Sequence, residues 1–415
     1  MKYMFFLIML SVLLGLNSYV FVRALQSLPH IGWLRLVFSV LFWGMLLSFI
    51  LLMSINDALP AGLWSLFSAL GFTWIILVIY FMLFCLCLDI IRGINHFFDI
   101  YPQWIKDNYQ LTKLILSASA VLIIGIILIR GNYKYNHPDT IRLDITVDKP
   151  LPKEGVTLVM VSDVHLGRNI DKSKLKSYVE MINRENPDAV LIAGDLCDMS
   201  VKPVIEQNMV EELSALKSKY GVYFASGNHE FYGGDRGAIF EYLSSSGVNV
   251  LSDSVVTIGD MITIAGREDM TNIRRKGLAE LLKDVDISKP LILLDHQPYN
   301  LEETERAGVD LQLSGHTHNG QFWPGNLIVK MIYELPYGYM KRGNTHYYVS
   351  SGLGLWGPKF RIGTKSEMVV IKLLPTAAAA SSTESASAKA AETTASSKTS
   401  STESATESTS GTFTR

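Results

Sequence analysis

Cysteine is scarce in this chain: three in 415 residues, which excludes a disulfide framework. Cys85 and Cys87 sit inside an apolar segment. Cys197 stands alone in an Asp-Leu-Cys-Asp stretch at 195–198 and reads as a small buried residue, because thiolate ligands usually come in sets. Strong charge of either sign is also missing. A formal net charge of −2 with no basic stripe argues against a nucleic-acid binder, so no nucleic-acid partner is expected. No internal repeat is visible. Charged residues make up only 18% of the chain and hydrophobic ones 48%, a balance that points to a membrane component.

The apolar residues are concentrated in four long runs at 3–22, 36–53, 63–88 and 114–129. About 20 apolar residues are needed to cross a bilayer as a helix, so the runs predict an all-α, four-helix transmembrane region over 1–130. The first run is too long for a cleaved signal peptide, and no small-x-small site follows it. The fourth is short and spans if its flanks snorkel or the helix stands upright. Orientation is read from Lys and Arg beside the spans. Arg23, Arg35, Arg92, Lys106 and Lys113 flank the first and third loops, against Lys2, Arg130, Lys134 and Arg142 on the other side. That margin, five to four, places the C-terminal domain and the N-terminus on the extracytoplasmic side.

Residues 131–155 form a polar, proline-punctuated connection with one expected strand at 141–147. From 156 to 375 short apolar runs alternate with helix-like stretches. The runs fall at 157–161, 189–193, 222–225, 261–265, 291–294, 310–313, 346–350 and 367–373, and the helical stretches at 171–185, 203–217, 237–245, 277–282 and 300–307. Such alternation predicts an α/β domain of layered sheets covered by helices. Residues 376–415, rich in Ala, Ser and Thr with one aromatic, cannot bury enough apolar surface to offset ordering entropy and are expected to be disordered.

Five of the apolar runs end in residues able to bind a cation. They deliver Asp163 and His165, then Asp195, then Asn228 and His229, then His296, then His316 and His318. Ligands in open α/β sheets collect outside the carboxyl ends of strands, so these ends can converge. Oxygen and imidazole donors without thiolate suit Mn, Fe, Zn, Co or Ni. Seven candidates (Asp163, His165, Asp195, Asn228, His296, His316, His318) are too many for one ion and fit two divalent ions that share a bridge.

The five motifs, in this order, resemble those of the calcineurin-like metallophosphoesterases. Asp-Val-His-Leu-Gly at 163–167, Gly-His-Thr-His-Asn-Gly-Gln-Phe-Trp-Pro at 315–324 and Ser-Gly-Leu-Gly-Leu-Trp-Gly-Pro at 351–358 are most similar to the membrane-associated bacterial branch. The resemblance implies a layered αββα sandwich over 156–375. It implies one metal on Asp163, His165 and His318, a second on Asn228, His296 and His316, and Asp195 bridging them. His229 matches the histidine that protonates the leaving alkoxide, with Asp198 placed to orient it. Glu230 is expected as a hydrogen-bond partner of the ligands; Arg267, Arg361 and Tyr232 are candidates for touching substrate, with a plain surface role the expectation for each.

The activity implied is hydrolysis of a phosphomonoester, phosphodiester or pyrophosphate by a hydroxide bridging two metals, which also stabilise the in-line displacement. The anchor adds the expectation of a lipid or lipid-linked substrate and of a bacterial inner-membrane location. The alternative is a metal- or nucleotide-sensing regulatory protein with little turnover. The presence of every expected ligand, and of His229, speaks against it.

Overall fold

Residues 2–380 are described by this computed structural model. The tail expected to be disordered therefore lies outside the described residues from 381 onward. Two compact units emerge among the described residues: those up to 137 with 356–363, and those from 138 to 355 with 364–380.

The first unit is built on four long helices, α1 (Lys2–Ser27), α2 (Gly32–Ile55), α3 (Ala61–Phe98) and, after the short α4 (Gln103–Asp107), α5 (Tyr109–Asn136). All four are long and apolar enough to cross a membrane. Each extends beyond its apolar run, because hydropathy marks the part suited to lipid whereas the backbone ladder continues until something breaks it. Pro29, Pro60, Pro102 and Pro138 lie in or next to the interruptions, where a missing N–H and a fixed φ stop a helix. Past residue 88, the polar end of α3 is accommodated by ion pairs of Asp89 with Arg23, 2.5 Å, and Arg92, 2.8 Å. Large apolar side chains such as Leu36, Leu122 and Ile129 stay exposed, as expected of a bilayer-facing surface. Residues 356–363 belong to this unit: the Arg361 amide donates to the Gly131 carbonyl, and the Asn132 side chain to the Lys359 carbonyl.

In the second unit the strands are β1 (Asp139–Val147), β2 (Val156–Val161), β3 (Ala189–Ala193), β4 (Val222–Ala225), β5 (Val248–Val250), β6 (Ser254–Ile258), β7 (Ile262–Gly266), β8 (Leu291–Leu294), β9 (Leu311–Ser314), β10 (Gly338–Arg342), β11 (Thr345–Val349) and β12 (Glu367–Pro375). They make two six-stranded sheets, ordered β1-β12-β2-β3-β4-β5 and β10-β11-β9-β8-β7-β6. Leu158, Leu191 and Val369 of one sheet share a buried core with Ile264, Ile292 and Leu311 of the other, so the sheets pack face to face.

Strand alternation then sends the other side chains outward. Ile292 and Leu294 enter the shared core, while Leu291 and Leu293 pack beneath α11 (Leu278–Leu281 in the order that follows). The helices are α6 (Lys172–Asn183), α7 (Lys202–Glu206), α8 (Val210–Ser214), α9 (His229–Tyr232), α10 (Arg236–Ser245), α11, α12 (Leu301–Arg306) and α13 (Gly325–Ile332). Helix α6 shows how the sequence encodes one. Asp171 caps it by accepting from the Lys174 amide, and Leu175, Tyr178, Val179 and Ile182 recur on one buried face.

The α/β class and the layered arrangement agree with the sequence reading. The stretch at 203–217, read as one helix, is two: Asn208 takes a left-handed φ of 51° between α7 and α8. Strands β5, β6 and β10 escape the sequence reading because they are short or at the sheet edges, with partly exposed residues instead of a continuous apolar run.

Candidate metal centre

Strands β2, β3 and β4 run parallel in one sheet and β8 and β9 run parallel in the other. Every residue of β3, β4, β8 and β9 is buried, so their ladders are held on both faces and the chain turns only where they end. There the backbone enters a conformation that side chains other than glycine disfavour. Asp163, His165, Asp195, His316 and His318 have φ of 51°, 54°, 51°, 68° and 48°. Each costs about 1–3 kcal/mol, and such strain persists where the surrounding structure over-determines it. Here the Asp163 and His165 amides donate to the carbonyls of Gly194 and Asp195, both at 3.0 Å. The His316 amide donates to Asp163 Oδ1, 3.0 Å, and the His229 amide to Asp195 Oδ1, 2.9 Å.

Two glycines permit this crowding. A Cβ on Gly227 would lie 2.1 Å from Asp195 Oδ1, and one on Gly315 would lie 2.2 Å from Asp163 Oδ2. Glu230, fully buried, accepts from the amides of Gly227 (2.7 Å), Cys197 (2.9 Å) and Asp195 (3.1 Å), holding the loops after β3 and β4 together. Burial and the Asp195 charge push its pKa up to about 8. Cys197 is buried beside it with its thiol pushed up by that burial, so it packs as a small unreactive residue.

All nine site residues read from the sequence are brought together. Three groups have ligand atoms within 4.8 Å of one another: Asp163, His165 and His318; His165, Asp195 and His229; Asp195, His296 and His316. Asp163 Oδ1 is 3.2 Å from His318 Nε2, and His318 Nε2 is 3.2 Å from His165 Nε2. Asp195 Oδ2 lies 3.1 Å from His296 Nε2 and 3.9 Å from His165 Nε2. Asn228 Oδ1 is 2.7 Å from His316 Nδ1. His229 Nδ1 is 3.0 Å from Asp198 Oδ1.

These residues fit divalent cations. His296 Nδ1 is 2.7 Å from the Ala193 carbonyl, which fixes the ring and turns Nε2 toward Asp195. That buried Nε2 makes no hydrogen bond of acceptable geometry, nor does the buried Nδ1 of His165. Burial opposes a charge on His296, yet Asp195 and Asp163 raise its pKa well above the ordinary histidine value. The negative field that favours a proton there equally favours a cation. Burial opposes the Asp195 carboxylate too, but His296, His165 and His229 hold it well below the usual range. Burial and the neighbouring His296 lower His316 to about 4, leaving it neutral and able to bind a metal.

Around His229 the balance differs. Burial works against its protonation, but the hydrogen bond to Asp198 and the charges of Asp195 and Asp198 raise its pKa above the ordinary value. Burial also opposes the Asp198 charge, and the imidazoles of His165 and His229 keep that carboxyl far below the usual range.

Residue patterns missed the rim of the site. Asp269, buried just beyond β7, accepts from the Gln297 side chain at 2.9 and 3.0 Å. An acid just past a sixth strand end was the available signal. Tyr333 stands 6.1 Å from the His316 ring, centroid to centroid, with its hydroxyl 3.1 Å from that of Tyr299, and no pattern announced it. Arg267 and Arg361 are buried rather than at the surface: Arg267 pairs with Asp295, 3.3 Å, next to His296. Tyr232 is exposed as expected.

A family model described as calcineurin-like phosphoesterase matches residues 156–320. An uncharacterized metallophosphoesterase of Campylobacter jejuni is 32% identical over 273 residues, covering 64% of this chain and 72% of that one. A transmembrane protein with metallophosphoesterase domain from Danio rerio is 32% identical over 371 residues, covering 85% of this chain and 82% of the other. The chain belongs to the metallophosphoesterases. It is accordingly a metal-dependent phosphoric ester hydrolase, and one that carries four apolar helices suited to a membrane. The Danio rerio match is too long to fit within the residues after α5, so the likeness extends into the helical region. Among solved structures, a dimetal phosphatase from Danio rerio is 14% identical with a TM-score of 0.35, over 53% of this chain and 99% of that one.

Proposed function

We propose that this metallophosphoesterase is a dinuclear enzyme acting on a phosphoester or pyrophosphate borne by a lipid or lipid-linked molecule. Asp163, His165 and His318 would hold one divalent ion and Asn228, His296 and His316 the other, with Asp195 placed to serve both. The observation that carries the two-ion reading is the position of Asp195, whose side chain is shared by the His165-His229 group and the His296-His316 group. Mn, Fe, Zn, Co and Ni all suit this donor set.

The bound cations supply the charge that acidifies the attacking water and offsets the repulsion of the phosphate. The chain's own residues do the rest. Asp198 accepts from His229 Nδ1, which fixes the ring and leaves Nε2 to carry the transferable proton. As the water oxygen bonds to phosphorus the ester P–O bond breaks, and the leaving alkoxide takes the Nε2 proton. Glu230 keeps Asp195 and the Gly227 loop in register during turnover.

The lipid reading rests on α13. Leu327, Ile328, Met331 and Ile332 are 49–78% exposed, and their i, i+1, i+4, i+5 spacing puts them on one side of a helix that runs into Tyr333 beside His316. An exposed apolar helix face at the mouth of a polar site fits the acyl region of a membrane-borne substrate. In this reading the helices through Asn136 anchor the enzyme, the catalytic unit begins with β1 rather than at 156, and that unit and the 376–415 tail lie outside the bacterial inner membrane. Protease added to sealed spheroplasts should remove the tail; protection until lysis would reverse the orientation.

The test of substrate class compares a detergent-dispersed phospholipid with a water-soluble aryl phosphodiester. Ile328→Glu with Met331→Glu should slow the lipid reaction by about tenfold or more, since each charge opposes insertion at the interface, and leave the soluble reaction within about twofold. Equal effects on both substrates would remove the lipid part and keep the hydrolase.

A further inference from the structure

Within the first unit, helices α1, α2, α3 and α5 enclose a cavity of about 280 Å³ that the catalytic reading does not use. Its walls are of two kinds. Phe38, Phe42, Trp74 and Phe84 make one part aromatic, and Phe42 packs edge-on against Trp74 at 4.6 Å between ring centres. Arg23, Arg92 and Lys113 make the other part cationic.

Those cations are only partly compensated. Arg23 and Arg92 share a single carboxylate, Asp89, which also accepts from the Tyr19 hydroxyl at 2.7 Å. Lys113 donates to the Gln26 backbone carbonyl, 3.0 Å, and meets no acid among the described residues lining the cavity. Three positive charges thus face one negative one. All three lie near the same end of the bundle, since α1 and α3 finish there and α5 begins there. At 1.5 Å per residue they sit roughly 6–9 Å inside the helix ends and just outside the apolar runs at 3–22, 63–88 and 114–129, where the apolar part suited to lipid chains stops.

We infer that this cavity binds an anionic phospholipid, its phosphate on Arg92 and Lys113 and the start of an acyl chain against Phe42, Trp74 and Phe84. A free phosphate would find the cations but would have to lose its hydration beside aromatic walls that return no hydrogen bonds. A zwitterionic lipid fits the apolar part but brings a positive group to a cluster already in excess. The anionic amphiphile alone matches both halves, as basic pockets between membrane helices match acidic headgroups. This site is separate from the metal centre, so either assignment can fail without the other.

The experiment is native mass spectrometry of the full-length protein in detergent with equimolar phosphatidylglycerol and phosphatidylcholine of identical chains. Retention of phosphatidylglycerol should exceed that of phosphatidylcholine by about thirtyfold, the value expected from two uncompensated cations. Arg92→Gln with Lys113→Gln should bring the ratio close to one. Ser117→Trp, which fills the cavity without touching its charges, should abolish retention of both lipids. Both variants should hydrolyse a soluble aryl phosphodiester like the wild type and keep its helical circular dichroism and melting in detergent, which verifies folding of the bundle. The inference is overturned if the wild type shows no preference, or if the preference survives either variant. Glycerol phosphate displacing the lipid at equal concentration would also overturn it, since the site would then take the phosphate alone.

Discussion

At the scale of single residues, the candidate metal centre gathers side chains that would be costly in isolation. Five ligand candidates occupy left-handed backbone, and fully buried Asp163 lies within 3.2 Å of a histidine. Crowding of this kind predicts sharp responses. Gly227→Ala would drive a methyl into Asp195 and should cut metal affinity by at least about tenfold, measurable by competition with a chromogenic chelator. His229→Ala should retain its metals yet lose about 10²–10⁴ in rate, most on substrates with poor leaving groups, where the proton matters most. His229 must be protonated to act, so the rate should fall as pH rises through its elevated pKa. Asp198→Asn removes a charge that raises that pKa, and the alkaline limb of the pH–rate profile should move to lower pH; an unmoved limb would assign it to another group.

At the scale of elements, the site is a product of strand ends, and that is why so much of it could be read in the sequence. Runs such as those ending at Val161, Ala193, Ala225 and Leu294 are buried on both faces, so they appear as unbroken apolar blocks followed at once by Asp, Asn or His. Edge strands lack that contrast. Strand β10 alternates half-exposed with exposed residues, and α13 exposes its apolar face beside the site; neither announces its place in a linear pattern. Tyr333 is positioned through α13, so it was invisible for the same reason. The bond set of Glu230 joins the loops after β3 and β4. Glu230→Gln would turn an amide NH₂ toward backbone donors, and the unsatisfied contact should lower Tm and weaken metal binding by about 10–100-fold. An unchanged melt and metal titration would show that the loops hold themselves.

At the scale of the whole molecule, a four-helix hydrophobic region and a two-sheet hydrolase are carried on one chain, and the long match to a transmembrane relative spans both. The chain crosses between its compact units more than once, because 356–363 belong with the helices although the strands on either side, β11 and β12, belong to the sheets. The helices therefore form a substantial part of the protein with aromatic packing and polar pairs of their own, more than a tether requires. The two-ion proposal rests on seven candidate ligands and one carboxylate, Asp195, shared between their groups. It is tested most directly by counting metal ions per full-length chain, by elemental mass spectrometry, in wild type and Asp195→Asn, with hydrolysis of an aryl phosphodiester measured on the same samples. Two ions per wild-type chain, with both metal content and turnover lost in Asp195→Asn, is the predicted result; full activity or two retained ions in the variant would contradict it.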